Sequence, residues 1–134
     1  MNKPTSTTTL HPNMRCTTVF DPCGCTFTTD VPKTYGGEGA YACPADMLAA
    51  AVASCMLSMV GLTGKKMGFD TYSITAAAAC DESNGRISGI TVTFTVPRIL
   101  SDAEKEALHK AVTHCPVGSA LAEHVHKEIK WLYR

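Results

Sequence analysis

The sequence predicts an α+β fold on three observations. Within the segment Arg86–Val96, Ile90, Val92, Phe94 and Val96 alternate with Thr91, Thr93 and Thr95, the segment from Pro44 is a long apolar run with helix start and stop signals, and strand-like and helix-like segments are grouped in order. That order is strands, one long helix, strands, two helices and a final strand, which is α+β rather than a regular βα alternation. At 134 residues the chain needs one domain only. The Thr-rich first dozen residues read as a flexible arm over 1–12, leaving a single domain over 13–134.

Arg15 to Phe20 reads as the first strand, and Asp21, Pro22 and Gly24 in D-P-C-G as turn residues leading into a return strand over Cys25 to Thr29. Tyr35 to Tyr41, Y-G-G-E-G-A-Y, holds too much glycine for regular structure and reads as a loop. Pro44 suits the first position of a helix and Asp46 faces the positive end of its dipole; Lys65, Lys66 and Gly68 are the matching stop. Such a helix of roughly 23 residues is about 35 Å long. Its apolar residues lie all round, as in a helix buried on most sides.

Tyr72 to Ala79 alternates at Tyr72, Ile74 and Ala76, and Asn84-Gly85 closes a turn into Arg86–Val96. There Ile90, Val92, Phe94 and Val96 share one face. Ser101 to Glu104 is a capping box ahead of an apolar stripe at Ala103, Ala107, Leu108, Ala111 and Val112. That helix stops near His114, because Pro116 disfavours helical geometry in the residue before it. Pro116 opens another short helix, with Val117, Ala120, Leu121, His124 and Val125 at helical spacing. Ile129, Trp131 and Tyr133 then alternate as a last strand, and H-V-H at 124–126 places one imidazole inward and one outward.

The 12 basic and 12 acidic side chains cancel, so the chain carries no electrostatic footprint for nucleic acid or an anionic membrane, and neither is expected as a partner. The uncharged run Met47 to Leu62 falls short of the roughly 20 residues a membrane span requires. The N-terminus lacks the apolar core of a signal peptide, which predicts a cytoplasmic protein with reduced thiols. Neither G-x-x-x-x-G-K-[ST] nor a strand-linked G-x-G-x-x-G is present, and no cofactor is expected.

In a reducing compartment seven cysteines in so short a chain direct attention to reactive thiols. Cys115, before Pro116, falls at a helix N-cap, where free N–H groups favour a thiolate; the plain alternative is a small capping residue. Cys55 lies more than two turns inside its helix, beyond reach of that helix's dipole, so it is either core packing or a thiol activated by a cation from elsewhere. Arg15, His109 and His114 are the candidates for that cation. Two thiols on separate helices suit a peroxide-reducing cycle, in which an attacking thiolate becomes a sulfenic acid and a second thiol condenses with it. A zinc site at Cys23, Cys25 and Cys43 lacks the paired spacing of structural zinc knuckles.

The chain resembles the OsmC and organic hydroperoxide resistance proteins, cytosolic thiol peroxidases of bacteria. The resemblance rests on Asp30 and Pro32, G-G-E-G at 36–39, C-P-A-D-M-L-A-A-A-V-A-S-C at 43–55, G-R-I-S-G-I-T-V at 85–92 and H-C-P-V-G-S-A-L at 114–121, in that order. It implies an intertwined homodimer with curved antiparallel sheets wrapped around long central helices. It also implies that Cys55 attacks an organic hydroperoxide or hydrogen peroxide and that Cys115 resolves the sulfenic acid to a disulfide. A dithiol reductant then restores both thiols, in the organic hydroperoxide branch a dihydrolipoyl protein. Arg15 stands near the spacing of the family's N-terminal arginine. The family's helix-start glutamate falls where this chain has Ala45, and the neighbouring Asp46 matches the acidic residue of a related branch. Gly118 replaces a polar residue expected after Cys-Pro-Val. A second function compatible with the same scaffold is a non-catalytic small-ligand-binding or redox-sensing protein.

Overall fold

The computed structural model describes residues 3–134. Met1 and Asn2, the first two residues of the expected arm, lie outside the described residues. The chain divides into two compact units, Met1–Met47 and Leu48–Arg134.

The first unit is an antiparallel sheet of β1 (Ser6–Leu10), β2 (Cys16–Phe20) and β3 (Thr26–Thr29), with β2 in the middle. Residues 6–10 therefore form a strand inside the stretch read as an arm. The physical reason is that β-branched threonines fit a pleated strand even when both faces are wet, so the missing apolar alternation is misleading. Thr8 stands opposite Thr18 and their hydroxyls are 2.8 Å apart. After β3 the chain makes a 3-10 turn, Lys33–Tyr35, closed by Gly36 at φ 91°. Gly37 is obligatory: a Cβ there would lie 2.0 Å from the Val31 carbonyl oxygen.

The second unit is built on α1 (Pro44–Met67), whose first turn still belongs to the first unit. Its buried residues Ala49, Val52, Ala53, Met56, Val60 and Gly64 recur at helical spacing. The helix stops as the sequence indicates, with Lys65 and Lys66 in its last turn and the Gly68 N–H donating to the Gly64 carbonyl at 2.8 Å. By length and composition α1 is long and apolar enough to cross a bilayer. Here its inward face joins the core of the second unit.

That core rests on a sheet of β4 (Thr75–Ser83), β5 (Arg86–Val96) and β6 (His126–Tyr133), with β5 in the middle. Asn84 and Gly85 both have positive φ, 54° and 74°, and turn β4 into β5. β4 begins later than the alternation at Tyr72 suggests, because Thr71–Ile74 forms a turn held by the Ile74 N–H on the Thr71 carbonyl at 3.1 Å. The face predicted from Ile90, Val92, Phe94 and Val96 is wholly buried. β6 runs parallel to β5, so this sheet is mixed rather than wholly antiparallel; the chain crosses back through two helices before adding the strand.

α2 (Asp102–Val112) carries both halves of the capping box, and Leu108 and Val112 enter the core. α3 is only Pro116–Ser119, shorter than the spacing through Val125 suggests. Beyond it the chain turns, with the Val125 N–H on the Ala122 carbonyl at 2.9 Å, so that β6 can enter the sheet. His124 and His126 are both exposed, because Val125 between them takes the inward position.

Candidate active site

Within the second unit, α1 carries Cys55 and the N-cap of α3 carries Cys115. The Cys55 side chain lies near enough to Cys115 to act on its titration. Cys115 is buried, with about 1% of its surface exposed, while Cys55 is half-buried. Core packing creates this meeting: Val52 and Met56 fix one side of α1, and Val112 anchors the end of α2 from which the chain passes into Cys115. The Val52 carbonyl oxygen lies 4.0 Å from the Cys115 sulfur.

The Gly118 N–H donates to the Cys115 sulfur at 3.3 Å, which is the N-cap contact expected from the sequence. Its electrostatic consequence is the reverse of the thiolate expectation. Burial first, and then the hydrogen bond with Cys55, push the Cys115 thiol above the ordinary value, outweighing the lowering by the Gly118 N–H. The Cys115 thiol therefore keeps its proton to higher pH than an ordinary thiol.

A cavity of about 190 Å³ opens beside Cys115, bounded by Met56, Val112, Gly118, Lys127 and Ile129 among others. The Lys127 ammonium donates to the Gly118 carbonyl at 2.8 Å. A Cβ on Gly118 would meet Met56, Cys115 and Lys127 at 3.5–3.6 Å, ordinary contact distances. Glycine is thus not required for the backbone here; its effect is to leave space beside the sulfur.

Arg15 belongs to the first unit. Its Nε donates to Asp30 at 3.3 Å, a terminal guanidinium nitrogen donates to Glu38, and the guanidinium carbon lies 5.0 Å from the centre of the Tyr41 ring. Asp30 is buried and also accepts from the N–H groups of Ala40 and Val31, each at 2.9 Å. The Ala40 N–H first, with the Val31 N–H and Arg15 adding to it, holds the Asp30 carboxyl below its usual range despite burial. Loop geometry builds the cluster, since Gly37 lets the chain pass close to Val31 and Glu38 follows it.

Asp46 does something else. Its carboxylate accepts from the Cys43 N–H at 3.1 Å, closing the free N-terminus of α1. Among the described residues the carboxylates that engage Arg15 are Asp30 and Glu38, not Asp46. Reading residues 35–41 as a loop gives Glu38 no role; the clue available in the sequence is a charged residue enclosed by glycines. His109, one of the cations considered for Cys55, instead stacks on Trp131 with centroids 4.6 Å apart and bonds the Tyr133 hydroxyl at 2.6 Å. No group of three or more potential metal ligands occurs among the described residues.

The chain matches the family model for OsmC-like protein over residues 37–130. No curated protein matches it. A Psychrobacter arcticus protein named for osmotic stress induction and detoxification response is 23% identical, covers 98% of this chain and 97% of its own, and superposes with a TM-score of 0.92. An OsmC-like protein of Mycoplasma pneumoniae is 17% identical with a TM-score of 0.80, covering 99% of each chain. An organic hydroperoxide resistance protein of Elizabethkingia anophelis, with thiocyanate bound, is 20% identical with a TM-score of 0.78, covering 100% of this chain and 98% of that one. The family match spans well over half of the sequence, and the protein belongs to the OsmC-like family.

Proposed function

We propose that this protein is a thiol-dependent peroxidase for organic hydroperoxides or hydrogen peroxide. The observation that carries the reading is the meeting of Cys55 and Cys115, two thiols from separate helices. The Cys55 thiolate attacks one peroxide oxygen, the O–O bond breaks, and the alcohol or water leaves with a proton, so that Cys55 becomes a sulfenic acid. Cys115 then attacks the Cys55 sulfur. Its own proton goes to the departing hydroxide, water leaves, and the disulfide forms. A dithiol, such as a dihydrolipoyl protein, reduces the disulfide and becomes a disulfide itself. The half-open placement of Cys55 and the buried, proton-retaining Cys115 suit an attacking and a resolving thiol respectively. The cavity beside Cys115 supplies room for the reductant to reach that sulfur.

Arg15 orients the peroxide or its thiolate partner in this reading, and the two carboxylates fix its guanidinium. Asp46 serves the helix start instead. The working form is a homodimer in the cytoplasm; Ala51, Ser54, Ser58 and Leu62 leave an open face of small and apolar residues on α1 that favours a second copy.

Treatment with one equivalent of cumene hydroperoxide, followed by peptide mapping, yields a Cys55–Cys115 disulfide in a functioning enzyme. A Cys55→Ser variant that consumes peroxide as fast as the parent would falsify the reading. Peroxide-insensitive thiols together with tight retention of an apolar small molecule would indicate a ligand-binding protein.

A further inference from the structure

Cys23 and Cys25 lie outside that site, in the turn between β2 and β3, and both are exposed. Gly24 between them has φ 72°, a left-handed geometry that curls the chain so that the Cys25 N–H donates to the Cys23 sulfur at 3.3 Å. Two ladder-like contacts hold the turn: the Phe20 N–H on the Cys25 carbonyl and the Gly24 N–H on the Phe20 carbonyl, both at 2.8 Å. The Cys23 sulfur also lies 3.6 Å from the Phe20 carbonyl oxygen.

We propose that Cys23-Gly24-Cys25 is a second, solvent-facing dithiol–disulfide couple that exchanges with small-molecule or protein disulfides. The polarity of the pair is already set. Cys23 is held below the ordinary thiol range, by the Cys25 N–H first and then by the Cys25 side chain, while that same side-chain bond pushes Cys25 up. Cys23 is thus the attacking sulfur and Cys25 the protonated partner. In the first step the Cys23 thiolate displaces one half of the external disulfide, forming a mixed disulfide and releasing a thiolate. In the second step the Cys25 sulfur attacks the Cys23 sulfur, the internal S–S bond forms, and the second half leaves as a thiol with the proton of Cys25. The external disulfide is reduced and the protein pair is oxidised, two electrons each way. The reverse sequence lets the oxidised turn accept electrons from an external dithiol.

The test uses the full chain, reduced and then exposed to glutathione disulfide, with samples quenched in acid and mapped as peptides. In the parent, the peptide carrying both residues loses two hydrogens and carries little glutathione. In Cys25→Ser, glutathione accumulates on Cys23 to at least about tenfold the parent's level, because the internal thiol acts at an effective concentration on the order of mM. In Cys23→Ser, adduct formation at this turn slows, while peroxide consumption through Cys55 is unchanged. Equal glutathione on Cys23 in the parent and in Cys25→Ser would overturn the pairing. Equal adduct rates at Cys23 and at Cys25 of the respective single variants would overturn the assigned polarity.

Discussion

Cys55 and Cys115 come from different helices and meet through the core of the second unit, whereas Cys23 and Cys25 are separated by one glycine on an exposed hairpin. The first pair depends on long-range packing, the second on one left-handed residue. The difference extends to protons. In the buried pair the dominant influence on Cys115 is loss of water; in the exposed pair the dominant influences are hydrogen bonds between neighbours. Burial makes a sulfur selective, because only what enters the site can reach it. Exposure makes a sulfur general, because any soluble disulfide can collide with it.

The largest expected effect separates the two pairs by peroxide reduction. Cys55→Ser should lower the rate with cumene hydroperoxide and a dithiol by about 10³-fold or more, the scale of losing a nucleophile. Cys23→Ser should leave that rate within experimental error. Equal losses in the two variants would mean that one linked system, rather than two pairs, handles the peroxide.

Next in size is Cys115→Ser. Without a resolving thiol, the Cys55 sulfenic acid persists and waits for an external thiol, so steady-state turnover with a dithiol should fall by about 10- to 100-fold. A sulfenic-acid-trapping diketone should label Cys55 in this variant and label the parent weakly. Strong labelling of the parent would show that Cys115 does not resolve.

Local rules in the sequence located most of the scaffold. Pro44, Lys65, Lys66 and Gly68 bound α1, Ser101 and Glu104 cap α2, and the alternation of apolar residues with Thr91, Thr93 and Thr95 marks the second half of β5. What escaped depends on residues distant in the chain. β1 is a strand because β2 lies beside it, and β6 runs parallel because two helices return the chain to the far edge. The N-cap contact of Cys115 was legible, but its burial was not, and burial decides the direction of its titration. Likewise the resemblance points to an acidic residue at the helix start, where Asp46 serves the Cys43 N–H, while the glycine loop brings Glu38 to Arg15.

Alkaline stability probes the same contrast with a smaller effect. The folded chain keeps the Cys115 proton to higher pH than the unfolded chain, whose thiol titrates near the ordinary 9.0. Between that value and the raised one the unfolded state binds fewer protons, so folding stability falls as pH rises. Urea unfolding under reducing conditions should show this decline in the parent and a shallower one in Cys115→Ser. Cys23 and Cys25 shift in opposite directions, so Cys23→Ser combined with Cys25→Ser should alter the slope far less. Equal slopes in all three proteins would contradict the burial argument.

The smallest effect isolates the glycine on which the exposed pair depends. Gly24 sits at φ 72° with nothing within 4 Å of the place a Cβ would occupy, so Gly24→Ala introduces no clash and acts through backbone geometry alone. A left-handed alanine costs about 1 kcal/mol, and thermal unfolding should fall by the few degrees that corresponds to. If the turn relaxes to relieve that cost, the Cys25 N–H withdraws from the Cys23 sulfur, and internal disulfide formation at 23–25 slows while mixed disulfide on Cys23 rises. Peroxide turnover through Cys55 should stay at the parent level, since that pair is assembled by Val52, Met56 and Val112 rather than by this turn. Parent-like oxidation of Cys23 and Cys25 in Gly24→Ala would show that sequence adjacency alone, without the left-handed turn, is enough to join them.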